Sequence, residues 1–178
     1  MLKNNIPEQS ATEYIEQLLL LFSIFCYAYM GWDSQYHRRA AVLVSAFFTC
    51  MFIRELDSFF DRYINHGFWI VPALIVAIFA IGYALTDRKN TLLNLEKFIN
   101  SDNFSLLCLG IAILFVFSRL FGMGSFWHQV MGDDFVRIVK NIAEESTELL
   151  GYTIIFYSSV KYLISYLRSS TNNNYINE

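Results

Sequence analysis

The sequence predicts an all-α fold, a polytopic membrane helix bundle of about five transmembrane helices whose last helix is long and continues outside the bilayer. Three observations carry this. Apolar residues make up 55% of the 178-residue chain and charged residues only 16%, against about 25% charged in soluble domains. The apolar residues fall in long blocks separated by short charged stretches, the pattern of membrane helices rather than of a soluble core. The connections between blocks are brief, as in a compact bundle.

The expected spans are about 14–32, 40–60, 67–86, 104–123 and 147–168, in a single integral-membrane domain over 1–168. A helix needs about 20 residues to cross the hydrocarbon core at a rise of about 1.5 Å each. The first block, Gln17 to Trp32, is uncharged and reaches that length if Ile15 and Glu16 sit at the interface. It reads as a retained helix, because no small-residue cleavage pattern closes it. The second is uncharged only from Ala40 to Ile53. That stretch covers about 21 Å, so the helix is expected to continue through Arg54, Glu55 and Asp57. The third, Phe68 to Leu85, is uncharged, with Pro72 in its first turns, where proline costs little. The fourth starts near Phe104 and includes Arg119, and the fifth, counted back from Arg168, reaches Glu148. An amphipathic stretch from Leu92 to Ile99 suits the interface. Asp133 or Asp134 is placed to cap the last helix. The Ser-Thr-Asn tail, 169–178, is expected to be disordered.

A net charge of -3 and the lack of a basic run exclude a nucleic-acid-binding face. Cys26, Cys50 and Cys108 all lie in apolar blocks and read as buried small hydrophobes rather than a disulfide framework. Trp32, Trp69 and Trp127 fall at span ends as interfacial anchors. The bilayer is the expected partner, together with a lipid or small-molecule ligand, and an oligomer is compatible with the pattern.

Five spans alternate in direction, so parity gathers the ends of spans two and four and the starts of spans three and five on one side. That side receives the carboxylates Glu55, Asp57, Asp61, Glu144, Glu145 and Glu148, the histidines His66 and His128, and the basic residues Arg54, Arg62, Arg119, Arg137 and Lys140. The other side holds loop charges, Arg38, Arg39, Arg88, Lys89, Lys97 and Arg168. By the positive-inside rule that side is cytoplasmic, placing the chain in the cell inner (plasma) membrane with its N-terminus outside and its C-terminus inside. Arg54, Asp57 and Asp61 share a helix face, and Arg137, Asn141, Glu144, Glu148 and Tyr152 form a polar stripe on the last helix. Such stripes should face the bundle interior and each other.

Two function classes follow. The carboxylates and two histidines could hold a divalent zinc, manganese or iron ion, with Glu55, Asp57, Asp61, His66, His128, Glu144, Glu145 and Glu148 as ligands, in a metal-dependent hydrolase of a membrane substrate. Neither a Glu-x-x-His pair nor a His-Glu-x-x-His motif is present, so the ligands would come from separate helices. Alternatively, the protein is a non-enzymatic transporter or accessory subunit. The same carboxylates then form an ion-pair network with Arg54, Arg62, Arg119, Arg137 and Lys140, or a proton or ion site.

Overall fold

The computed structural model describes residues 11–34, 37–132 and 135–176, with side chains through 169. In chain order the elements are α1 (Ala11–Asp33), α2 (Arg38–Glu55), α3 (Asp57–Tyr63), α4 (Ile70–Leu85), α5 (Arg88–Ile99) and α6 (Asp102–Ala112). A π-helical segment (Ile113–Ser118) leads from α6 into α7 (Arg119–Gly122), followed by α8 (Gly124–Met131) and α9 (Arg137–Ile176). No strand occurs among the described residues. Asp133 and Asp134, the expected caps of the last helix, lie outside them.

Helix α1 has two faces set by its sequence spacing. Glu16, Leu20, Ser23, Tyr27 and Met30, spaced four and three apart, are buried. Leu18, Phe22, Phe25 and Tyr29 point outward and are at least half exposed. Helix α4 repeats this, with Ala73, Ala80 and Ala84 inside while Ile78 and Phe79 are 66% and 75% exposed. Serines lie buried while large apolar side chains lie outside, the reverse of a water-soluble domain. Among the described residues, α1 and the run Asp102–Gly122 are each long and apolar enough to cross a membrane. A third span is added if α4 and α5, bent by 108° at their junction, are taken together.

The structure departs from the expected elements in three places. The second helix does not run unbroken through Asp57 to residue 60: α2 ends at Glu55, and Leu56 (φ -88°, ψ 10°) breaks it. The Leu56 N–H is shared between the Phe52 and Ile53 carbonyls, both at 3.2 Å. A fresh helix, α3, starts at Asp57, whose carboxylate suits a helix N-terminus. The third helix begins at Ile70, after a turn in which Gly67, at φ 77°, leaves helical geometry. Pro72 therefore sits in the first turn, where its missing N–H breaks no bond. Finally, α9 carries helical backbone to Ile176, through the stretch expected to be disordered. Propagating an existing helix costs far less than starting one, even through poor helix formers.

Helix α9 packs against α1 on one side and α6 on the other, while α2 bridges α1 and α4. The α6–α9 crossing depends on Gly110 and Gly151. A Cβ on Gly110 would stand 3.0 Å from the Gly151 carbonyl oxygen and 3.1 Å from the Ile155 nitrogen, backbone atoms that cannot swing aside. Such close approach of small residues is how helices associate where no water drives them together. Ser158 Oγ reinforces the crossing by donating to the Asn103 carbonyl at 2.7 Å.

Candidate carboxylate site at one end of the bundle

The start of α1, the end of α2, the π segment and the stretch of α9 around Glu148 and Tyr152 meet at one end. Glu55 is the last residue of α2, and Tyr152 Oη of α9 donates to its Oε1 at 2.7 Å. Arg54 Nη2 donates to the same oxygen at 3.0 Å. Four residues before Tyr152, Glu148 accepts from Ser118 Oγ at 2.7 Å. The π segment widens the helix by a residue and sets Ser118 against α9 there, a use to which such bulges are often put. A cavity of about 170 Å³ opens against Arg54, Glu55, Glu148 and Tyr152, walled by Met51, Trp69 and Leu114.

Glu16 of α1 completes the group. It is 4% exposed, and its Oε1 is buried with no hydrogen-bond partner among the described residues. Glu148, Glu55, Glu13 and Glu145 all lie within its electrostatic reach. Sequence length alone places Glu16 at the membrane interface. The signal that finds it is register, because Glu16 heads the stripe continued by Leu20, Ser23, Tyr27 and Met30. A buried carboxylate oxygen without a hydrogen-bond partner in a low-dielectric interior is costly.

Among the described residues, no ion pair crosses between helices at this end. Arg54–Glu55 joins neighbours on one helix, and Lys140–Glu144 (2.7 Å) is an i,i+4 pair within α9. Arg62, Arg119 and Arg137 form no ion pair among the described residues. What ties helix to helix is hydroxyl to carboxylate. Glu144 lies against the end of α7, where a Cβ on Gly122 would collide with its carboxylate. Glu145 is half-buried and lies within electrostatic reach of Glu16.

The histidines stand elsewhere. His66, 90% exposed at its side chain, pairs with Asp61 at 2.5 Å beyond α3. The Gly67 N–H donates to the other Asp61 oxygen at 3.1 Å. The His66 partnership holds the Asp61 carboxyl below the ordinary aspartate range, and Asp61 raises His66 above the ordinary histidine value. Asp57 sits beside Asp61. His128, on α8, meets the Phe135 ring at a tilt of 39°, with 4.1 Å between ring centroids. Among the described residues no three His, Cys, Asp or Glu side chains gather closely enough to hold a metal ion. Glu16, Glu55 and Glu148 therefore feel one another's charge without converging on a common point.

The group is closed from below. One turn along each helix from Glu16, Glu55 and Tyr152 come Leu20, Met51 and Ile155, buried members of one apolar core. Compared with known proteins, the chain matches no family model, no curated protein and no solved structure.

Proposed function

We propose that this is a non-enzymatic component of the cell inner membrane, a transporter or accessory subunit, whose buried carboxylates form a proton-binding site reached from the extracytoplasmic side. Its five spans are α1, α2, α4, the run from α6 through α7, and the middle of α9. At 40 residues, α9 extends about 60 Å, twice the hydrocarbon thickness of about 30 Å, so its first turns stand outside. The loop cations favour an N-terminus outside and a C-terminus in the cytoplasm.

The observation that carries this reading is Glu16, with a buried, unpartnered oxygen beside Glu55 and Glu148. Arg54, already bonded to Glu55, is the cation within the group. Negative charge is left over, and the interior must neutralise it. A proton suits the spacing, because it needs one carboxylate at a time where a metal ion needs several. The layer of Leu20, Met51 and Ile155 favours a site that loads and unloads from one side over an open channel. The metal-dependent hydrolase reading has less support, since His66 joins Asp61 near the surface and His128 lies against Phe135, both apart from Glu16, Glu55 and Glu148, and no three ligating side chains gather among the described residues.

Proton uptake after a pH jump, read by an indicator dye on protein in lipid nanodiscs, tests this. Glu16→Met should take up fewer protons than wild type. It should also melt at a higher temperature, since an unsatisfied buried polar group costs about 1–3 kcal/mol. Wild-type uptake in both Glu16→Met and Glu148→Gln would overturn the proposal.

A further inference from the structure

Helices α1 and α4 both pack on α2 and leave a groove between them, about 1050 Å³ in volume. Its walls are Ala28 and Gly31 of α1, Val42 and Ala46 of α2, and Phe79 and Ala80 of α4. Ser45 and Thr49 also line it, but their hydroxyls turn to backbone carbonyls, Ser45 to Ile24 (3.3 Å) and Thr49 to Ser45 (2.8 Å). The wall is thus apolar in effect. At one end stands Arg38, with Trp32 and Tyr83 beside it.

Arg38 is held in place there. Its Nε donates to the Gly31 carbonyl at 3.0 Å, and among the described residues its guanidinium enters no ion pair. Its neighbour Arg39 is engaged with Asp87 at 3.3 Å. From Arg38 to Thr49 the groove runs about 16 Å along α2, half the hydrocarbon core of about 30 Å. A slot one leaflet deep, apolar along its length and cationic at its mouth, has the shape of one lipid.

We propose that this groove binds an anionic phospholipid, an acyl chain lying between α1 and α4 and its phosphate on the Arg38 guanidinium. The fork of N–H donors on arginine matches phosphate oxygens in pairs. Volumes of this order are ample for a ligand. Anionic lipid is concentrated in the cytoplasmic leaflet, where the basic residues Arg38, Arg39, Arg88 and Lys89 gather. The proposal rests on the membrane reading and the groove, not on the carboxylate site at the other end.

The test is native mass spectrometry of the full chain in mild detergent, titrated with phosphatidylglycerol and phosphatidylcholine of identical acyl chains. Wild type should retain phosphatidylglycerol at several-fold lower concentration than phosphatidylcholine. Arg38→Gln should abolish that preference and Arg38→Lys should keep part of it. Ala46→Phe, which leaves Arg38 in place but fills the groove, should lower retention of both lipids. Equal retention of the two lipids by wild type would overturn the assignment. So would retention unaffected by Ala46→Phe, or a lipid-free dimer whose formation Ala46→Phe abolishes. Should Arg38→Gln fail to fold, the wild-type preference and Ala46→Phe still decide.

Discussion

Where α1 begins, the helices meet through hydroxyls and carboxylates: Tyr152 on Glu55 and Ser118 on Glu148, with Glu16 nearby, its Oε1 without a hydrogen-bond partner among the described residues. Where α1 finishes, they meet through aromatic rings. Tyr27 stacks on Phe48 at 5.6 Å and meets Phe98 edge-on at 5.8 Å, and Phe98 meets Tyr162 at 4.9 Å. Those rings come from α1, α2, α5 and α9. The charged ties at that end also join separate elements, Arg39 to Asp87 and Tyr166 to Asp33 (2.8 Å). The contrast teaches a division of labour. The aromatic end and the glycine crossing hold the bundle together, and the acidic end keeps costly groups that stability alone would not retain. Substitutions at each end test whether that division is real.

The largest effect is expected at the aromatic hub. Tyr27 is 1% exposed and touches rings from three other helices. Truncating such a side chain leaves a cavity that close-packed neighbours cannot fill. Tyr27→Ala should cost about 3–5 kcal/mol, the range for buried aromatic-to-alanine changes. A thermal melt followed by circular dichroism in nanodiscs reads it. A change no larger than that of an exposed residue such as Phe22→Ala would break the comparison.

At the acidic end the corresponding change is Tyr152→Phe, which keeps the ring and removes one hydroxyl. It takes a hydrogen bond from the Glu55 carboxylate, leaving that oxygen to Arg54 alone. Bonds to charged groups contribute about 1.5–3 kcal/mol, so the melt should fall by less than for Tyr27→Ala. Proton uptake should change as well, which Tyr27→Ala in its folded fraction should not produce. If Tyr152→Phe alters stability alone, the acidic end is structural after all.

Much of this was legible from residue spacing. The all-helical architecture followed from block length and apolar content. The stripe on the last helix is inside only in part: its period brings Glu144, Glu148 and Tyr152 against the bundle, while Arg137 and Asn141 at its start are exposed. Glu16 was not legible by length, since counting residues places it at the interface. Only the buried register it shares with Leu20 and Tyr27 puts it inside. The break at Leu56 was hidden because no glycine or proline marks it. It separates Glu55, inside the bundle, from Asp57 and Asp61 in a surface helix, so the expected stripe of Arg54, Asp57 and Asp61 is cut. Histidine positions mislead for a related reason. Parity of five spans would gather His66 and His128 on the acidic side, yet parity fixes an end of the bundle and not a partner: His66 pairs with Asp61 beyond the Leu56 break, and His128 lies against Phe135.

The smallest effect concerns that outlying pair. Asp61 and His66 each move away from their ordinary values of 3.8 and 6.5, the aspartate downward and the histidine upward. The raised histidine contributes stability fully below its unfolded value, and that contribution is lost as pH rises through its folded value. The lowered aspartate contributes above its own unfolded value, and its share is lost as pH falls through its folded one. The pair is therefore complete between the two ordinary values. At 90% side-chain exposure of His66, solvent screens the pair, so the melting temperature of the bundle should scarcely respond. The His66 ring resonance should titrate above 6.5 in the wild type and return toward it in Asp61→Asn. Proton uptake by the buried group should be the same in both proteins, because α3 lies outside the interior. A matching loss of uptake in Asp61→Asn would instead join the surface pair to the buried carboxylates as an entry relay, and the acidic end would extend beyond Leu56.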